Sequence, residues 1–326
     1  MLTIYTAADT CLACTSTIEG STGAPAVWFD LIDPTPEEDR EVERRLGVAV
    51  PTREEMQEIE ASSRLYVEDG ALYMTAALTA RADTERPVIA PVTFILANDV
   101  LATVRYETPR AIAAIAQRAL KPGFGHLSGI SVLMALIESI IDRAADVLER
   151  VSAELDEVSH RVFQANDSVA GRADSGVYDR ALKAIGRSGG LVSKEEETLV
   201  SLQRMISFLL NAGSAAKLGK DDRERLKEMH RDIRSIAEFA TSLDNRLVFM
   251  LDATLGLVSL QQNNIVKIFS ILAVLFMPPT LIASIYGMNF EIMPELKWTH
   301  GYGFALALML GAAAATYLVF RWRKWL

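Results

Sequence analysis

The chain has 326 residues, of which 50% are hydrophobic and 23% are charged, and its formal net charge at pH 7 is −9. A chain of this length is expected to form about two folded units. The acidic balance argues against a nucleic-acid partner, since a protein that binds phosphate backbones needs a positive surface.

The cysteines and histidines do not predict a metal or redox site. Cys11 and Cys14 are the only cysteines, and the four histidines are scattered without ligand spacing. A zinc site would need two further ligands near the cysteines. A redox motif would follow a strand and open a helix. Neither context is present, so we interpret the pair as two reduced surface thiols of a cytosolic domain.

Residues 1–125 are predicted to form a cytosolic α/β domain. An apolar run at residues 27–32 is typical of a buried strand. Thr-Pro-Glu-Glu at 35–38 follows it and predicts a helix start with a capping box and proline at the first helical position. Residues 52–55 repeat the capping-box pattern and predict a helix that continues through Ile59.

Two hairpins are predicted further along this domain. Residues 64–67 and 71–78 flank Glu-Asp-Gly, and residues 92–96 and 100–106 flank Asn-Asp, so the sheet should be rich in antiparallel pairs. Thr-Pro is expected to cap a helix over residues 108–120. The domain has no phosphate-binding glycine loop, no H-E-x-x-H and no nucleophile elbow. We therefore expect a regulatory or assembly domain and not an enzyme.

Residues 126–222 are predicted to form a helical bundle, because glycine and proline become rare and helical periodicity takes over. Apolar positions mark one long helix over residues 130–155. A break containing Gly, Ser and Asp at 166–176 precedes a shorter helix. A separate helix is predicted over residues 195–210.

Residues 223–286 are predicted to form one stalk helix whose last part, about 266–286, is apolar and long enough to cross a bilayer. A second apolar run at 301–320 predicts a second span. The tail at 321–326 is basic, so it should be cytoplasmic, with loop 287–300 outside and both termini inside.

One face of the stalk helix carries small, weakly polar or isolated apolar residues at spacings of three and four, which is typical of a bundle seam. Two spans cannot enclose an aqueous path, so a pore would need several copies around an axis. Periodicity alone leaves a pore and plain packing equally open. The seam residues are Asp252, Gly256, Ser259, Asn263, Val266, Ser270, Ala273, Met277, Thr280 and Ser284.

The segment at 286–298 reads Tyr-Gly-Met-Asn-Phe-Glu-Ile-Met-Pro-Glu-Leu-Lys-Trp and lies between the two predicted spans. Gln-Asn-Asn-Ile-Val-Lys-Ile-Phe-Ser at 262–270 and Met-Pro-Pro-Thr-Leu at 277–281 precede it, and Lys-Trp-Leu ends the chain. Together these segments strongly resemble the CorA family of magnesium transporters, most closely over the C-terminal third of the chain.

The resemblance implies a funnel-shaped homopentameric channel in the plasma (inner) membrane, in which each chain passes through the membrane twice and has both termini in the cytoplasm. It implies Mg²⁺ influx, with Co²⁺ and possibly Ni²⁺ also carried, and feedback gating by cytosolic Mg²⁺. The inside-negative membrane potential is the simplest driving force, because the spans contain no Asp, Glu or His for a proton relay. No organic cofactor is expected, and the partners are other copies of the chain, the lipid bilayer and the ions.

Site residues are predicted on this basis. A ring of Asn289 amides can hydrogen-bond to the water shell that Mg²⁺ gives up reluctantly, and a neutral ring still lets the ion leave. The predicted pore and selectivity residues are Asn289, Gly287, Met288, Thr280, Asn263 and Asp252. Val266 and Met277 are predicted to form a hydrophobic gate, Glu291 and Glu295 to attract external cations, and Glu228 and Asp232 to bind regulatory Mg²⁺.

Two other interpretations remain open. A zinc-transporting relative of the same superfamily would share the architecture, although residues 290–298 match the magnesium branch. A membrane-tethered cytosolic sensor would use the two spans only as an anchor, and substitutions at Asn289 would then have no effect on it.

Overall fold

The computed structural model describes residues 1–15, 25–167, 175–212, 218–288 and 298–323. The chain divides into two compact units. The first comprises Met1–Gln164 and Ser175–Leu251, and the second comprises Asp252–Leu326 together with the short segment Ala165–Asp174.

The first unit begins with an α/β region. Its strands and helices in chain order are β1 (Leu2–Ala7), β2 (Leu12–Thr15), β3 (Ala26–Ile32), α1 (Pro36–Leu46), α2 (Arg53–Gln57), α3 (Ala61–Arg64), β4 (Leu65–Glu68), β5 (Ala71–Ala80), β6 (Val88–Ala97), β7 (Val100–Arg105) and α4 (Arg110–Ala119). The long helices that follow are α5 (Gly129–Asp167), α6 (Ser175–Asn211), α7 (Lys220–Tyr286) and α8 (Gly301–Trp322).

The strands form one seven-stranded sheet in the order β2-β1-β3-β7-β6-β5-β4. Every neighbouring pair is antiparallel except β3 and β7, which run parallel. This confirms the prediction of a sheet rich in antiparallel pairs, and both predicted hairpins are present. Strands β1 and β2 were not predicted, although Leu2, Ile4 and the polar Thr3 between them alternate as strand residues do.

The predicted helix starts are mostly confirmed. Thr35 with Glu38, and Thr52 with Glu55, form complete capping boxes at the starts of α1 and α2. The prediction for the second helix was too long, since α2 ends at Gln57. The prediction of a Thr108-Pro109 cap was wrong in detail, because Pro109 is the N-cap residue of α4 and no side chain caps that helix.

Helix α6 corrects another prediction, because the sequence predicted two helices where the structure has one of 37 residues. Gly186, Gly189 and Gly190 lie in its middle, and each lowers helix propensity by about 1 kcal/mol relative to alanine. Burial on either side of them, as at Val192, which is fully buried, favours the continuous helix. Tertiary packing therefore outweighs local propensity here.

Helix α6 also completes the hydrogen bonding of the sheet. Beyond residue 74, β5 has no partner strand on the β4 side. The amides of Ala77 and Thr79 there donate to Ser201 Oγ at 2.9 Å and Thr198 Oγ1 at 3.0 Å. Hydroxyl groups of the helix thus satisfy backbone donors that would otherwise be buried without partners.

The part of α7 in the first unit buries a regular stripe. Leu226, Ile233, Ala240 and Leu247 recur every seven residues and are at most 4% exposed, which is the pattern of coiled-coil-like packing. Arg225 pairs with Glu138 of α5 at 2.5 Å, and Arg246 pairs with Asp156 at 2.5 Å. In these two pairs the residue numbers increase in the same direction along both helices, so α5 and α7 run parallel.

The second unit contains the two apolar helical segments. Among the described residues, α7 and α8 are the two helices that are long and apolar enough to cross a membrane. Helix α7 continues without interruption through Pro278 and Pro279. Those prolines have no N–H to donate to the carbonyls four residues earlier, so Val274 and Leu275 lose their usual helical hydrogen bonds.

Candidate ion pathway

The predicted seam lies on an exposed face of α7. All ten of its residues are exposed in the single chain, including Val266 at 62% and Met277 at 66%. The more buried residues of the same stretch, such as Thr254, Leu257 and Gln261, lie on the opposite face of the helix. The chain itself therefore leaves the seam uncovered.

Among the predicted pore and selectivity residues, Thr280 and Asn263 are the neutral polar side chains that the structure describes on this face. The Thr280 hydroxyl donates to the Phe276 carbonyl oxygen at 2.8 Å. That bond fixes the side-chain rotamer and leaves the lone pairs of Oγ1 available as acceptors. Asn263 is exposed, and its amide can both donate and accept.

Gly287 and Met288 end the helix. The Gly287 amide donates to the Ala283 carbonyl oxygen at 2.9 Å, and the Met288 amide donates to Ile285 at 3.2 Å. Gly287 is not among the positive-φ glycines of the described residues, so conformational freedom does not explain it. A Cβ atom at Gly287 would lie 3.2 Å from the Ala283 carbonyl oxygen. The backbone of the preceding turn therefore leaves only tight space for a side chain at this position.

Three predicted site residues lie outside the described residues. They are Asn289, Glu291 and Glu295. Their predicted roles as selectivity ring and external attractors follow from the sequence, and they are taken up below as proposals.

The predicted cytosolic cation residues are exposed on α7. Asp252, Glu228 and Asp232 are all solvent-accessible in the single chain. Glu228 lines a surface cavity of about 550 Å³ together with His230. Within the parts of the chain that the structure describes, no group of three or more His, Cys, Asp or Glu side chains is arranged to hold a metal ion.

Asp232 faces acidic residues of α5 that sequence reasoning missed. The pKa of Asp142 is raised, first by desolvation and then by the negative charges of Glu138, Asp146 and Asp232. Glu138, Asp142 and Asp146 recur every four residues, which places them on one face of α5. The four-residue spacing of this acidic stripe is visible in the sequence. That the stripe lies near Asp232 of α7 is visible only in the fold.

The cysteines agree with their interpretation as free thiols. Cys11 is half-buried, Cys14 is exposed, and neither forms a disulfide. Cys14 lies on β2, paired with Tyr5 of β1.

Comparison with known proteins identifies the family. Residues 23–323 match the family described as CorA-like Mg²⁺ transporter protein. The chain is 35% identical over 301 residues to the magnesium transport protein CorA of Pasteurella multocida, and 33% identical to that of Escherichia coli K12, with 92% of each chain covered.

The fold is shared with a solved structure. The solved complete structure of the CorA magnesium transporter from Methanocaldococcus jannaschii superposes with a TM-score of 0.72 at 19% identity, covering 100% of this chain and 99% of the other. At that identity the superposition shows a common fold, and the sequence matches show the family. The chain thus belongs to the CorA family of magnesium transporters, as its C-terminal motif predicted, and is a transport protein and not an enzyme.

Proposed function

We propose that this chain forms a homopentameric Mg²⁺ channel in the plasma (inner) membrane, with both termini in the cytoplasm. The observation that carries the proposal is the exposed seam of α7 in a chain whose sequence matches the magnesium transporter family over residues 23–323. Five copies of α7 around an axis would cover these seams and enclose a path that two spans of one chain cannot enclose.

The composition of the seam suits hydrated ions. Its positions are mostly small or neutral polar, so the enclosed path would be wide and wettable along most of its length. Val266 and Met277 would form apolar rings, and such constrictions close a pore by excluding water. Asp252 would add an acidic ring that concentrates cations on the cytoplasmic side.

Selectivity would arise at the outer end of α7. A ring of Asn289 amide oxygens, supported by Gly287 and Met288 at the helix end, would accept hydrogen bonds from the waters around Mg²⁺. Because the ring is neutral, the ion could leave it. Glu291 and Glu295 would raise the local cation concentration outside. A site that hydrogen-bonds to the water shell of the ion would also admit hydrated Co²⁺ and Ni²⁺.

The driving force would be the membrane potential. An inside-negative potential contributes about 2.3 kcal/mol per charge per 100 mV, and hence about twice that for a divalent ion. The predicted spans at 266–286 and 301–320 contain no Asp, Glu or His, so ion entry requires no proton relay.

Feedback would act on the cytosolic part of α7. The Asp232 carboxylate already adds to the negative charge around Asp142 of α5, and Glu228 lies one helical turn before Asp232. Carboxylates from a neighbouring copy would complete a site that repels itself when empty and is bridged by Mg²⁺ when occupied. Proteolysis of the full chain should slow as Mg²⁺ rises through the millimolar range, and unchanged cleavage of α7 would contradict this regulation.

The central test is ion flux into liposomes that contain the purified chain, under an inside-negative potential and low internal Mg²⁺. We expect Mg²⁺ influx, and we expect Asn289→Ala to lose selective flux while the assembly keeps its size on gel filtration. Ser235→Ala, on the cytosolic part of α7, serves as the control.

Other outcomes would change the assignment. Zn²⁺ flux that clearly exceeds Mg²⁺ flux would indicate a zinc-transporting member of the superfamily. Absence of Mg²⁺, Co²⁺ and Zn²⁺ flux, with the variant indistinguishable from the original, would favour the membrane-tethered sensor.

A further inference from the structure

A cavity of about 180 Å³ lies within the first unit, about six times the volume that one molecule occupies in liquid water. The end of β5, the turn after it, the start of α4 and the helices α5 and α6 line it. None of the predicted pathway residues contributes to its lining. Its size suits a small ion with a few waters and not an entire nucleotide.

Guanidinium groups outnumber carboxylates beside this cavity. Asp83 forms salt bridges with Arg110 at 2.7 Å, with Arg143 at 2.6 Å and with Arg150. One carboxylate matches only one of these three charges, and the arginines hold the pKa of Asp83 well below its usual range. Among the ion pairs of the described residues, none offsets the remaining two charges, although this chain is acidic as a whole. The buried Glu195 carboxyl lies in the field of Arg143 and Arg150 and offsets one of these charges only when it is ionised.

The start of α4 adds positive potential. Residues 108–111 line the cavity, and α4 begins at Arg110 with no side-chain cap on its first amides. The first N–H groups of a helix have no intrahelical acceptor, and the helix dipole is positive at that end. An anion in the cavity would therefore meet both the guanidinium groups and the end of the helix.

Buried polar side chains also line the cavity. Glu195 is 3% exposed and Thr198 is 1% exposed, and both line the cavity. Burial raises the pKa of Glu195 to about 7, while the Thr79 hydroxyl and the charges of Arg143 and Arg150 act in the opposite direction. In its protonated form the carboxyl donates a hydrogen bond instead of repelling an anion.

We propose that this cavity binds a small oxyanion, of the class of inorganic phosphate or the phosphoryl group of a phosphomonoester. Arg110 and Arg143 supply charge-assisted hydrogen bonds. Glu195 takes up a proton, keeps it and donates a hydrogen bond to the anion. Binding is therefore coupled to proton uptake and tightens as pH falls. The site is independent of the proposed ion pathway, so oxyanion binding can be tested separately from Mg²⁺ transport.

The first probe is sulfate, because its charge stays constant between pH 6 and pH 8 whereas that of phosphate does not. Calorimetric titration of the full chain in detergent, at constant ionic strength, should show saturable binding that is tighter at pH 6 than at pH 8. Glu195→Gln keeps a neutral hydrogen-bond donor, so it should retain binding and remove the dependence on pH.

Arg110→Gln should weaken sulfate binding about tenfold or more, as expected for the loss of one charge-assisted hydrogen bond. Arg234→Gln is the matched control, because its side chain is 74% exposed and that of Arg110 is 72% exposed, and it should leave binding unchanged. Absence of saturable binding at pH 6, or an equal loss in both variants, would overturn the proposal.

Two further titrations distinguish the sources of the oxyanion. Inorganic phosphate that binds more tightly than adenosine monophosphate would identify the free ion as the ligand. The reverse order would identify a phosphomonoester whose remaining part lies outside the cavity. Persistent pH dependence in Glu195→Gln would overturn the role of Glu195 as the proton acceptor.

Discussion

Arg105 and Asp30 form a salt bridge within the sheet, with Nη2 2.8 Å from Oδ2 and Nε 3.1 Å from Oδ1. Their side chains are 2% and 3% exposed. The Thr103 hydroxyl donates to Asp30 Oδ1 at 2.7 Å, and Trp28 Nε1 donates to Thr103 at 2.9 Å. This network lies on β3 and β7, the parallel pair of the sheet, so the two charges are desolvated and depend on each other.

Removing one partner of this pair should be costly. Arg105→Met leaves the Asp30 carboxylate buried without its counter-charge, and we expect a loss of about 3–5 kcal/mol in the free energy of unfolding. Denaturant unfolding of the full chain in detergent measures it. Arg81→Met is the control, since Arg81 and Glu107 are 56% and 33% exposed and such a pair contributes about 1 kcal/mol or less. Equal losses in the two variants would contradict this account.

Glu195 should make stability depend on pH. Its pKa is raised from 4.5 to about 7 in the folded chain, so the folded state binds more protons than the unfolded state between these values. Its contribution to the free energy of unfolding is therefore largest below pH 4.5 and falls as pH rises to about 7, by about 3 kcal/mol. The stability of Glu195→Gln relative to the original chain should be higher at pH 8 than at pH 5, as measured by thermal unfolding.

Asp83 should show the opposite dependence. Its pKa is lowered, first by the hydrogen bond from Arg150, so its stabilisation is fully present above the unfolded pKa, begins to decline below that value and is lost as pH falls through the folded pKa. Asp83→Asn should destabilise the chain most at pH 7 and less near pH 3, in the same unfolding assay. A variant that is equally destabilised at both values would indicate that the charge is not the cause.

Gly287→Ala should disturb the end of α7. The added Cβ would lie 3.2 Å from the Ala283 carbonyl oxygen, so that oxygen must move by a few tenths of an ångström. We expect lower Mg²⁺ flux in liposomes with an unchanged assembly on gel filtration. Gly303→Ala is the matched control, because nothing lies within 4 Å of a Cβ there, and full flux in Gly287→Ala would count against the close-approach argument.

Met277→Asn tests the proposed hydrophobic gate. A polar side chain at this exposed seam position would hydrate the constriction, so Mg²⁺ flux should rise and depend less on internal Mg²⁺. Met277→Leu keeps the apolar character and should behave like the original chain. Liposome flux measures both, and identical behaviour of the two variants would remove Met277 from the gate.

Sequence reasoning succeeded where the signal is local. The capping boxes at Thr35 and Thr52 depend on residues three positions apart, and both are present. The predicted split of α6 failed because packing around Gly189 outweighs helix propensity. In the candidate pathway, the positions on α7 followed from helical spacing, whereas the acidic stripe of α5 beside Asp232 did not.

The sequence by itself determined the membrane helices, the capped starts of α1 and α2, the β4–β5 and β6–β7 hairpins and the family, because composition, periodicity and short motifs act within a few neighbouring residues. Only the tertiary structure decided which charged groups meet. Asp30 and Arg105 are 75 residues apart, and Asp83 and Arg150 are 67 residues apart. The pKa of Glu195 likewise depends on burial between elements that no sequence window contains. Desolvation and charge pairing are properties of the folded chain, so they become visible only when distant segments come together.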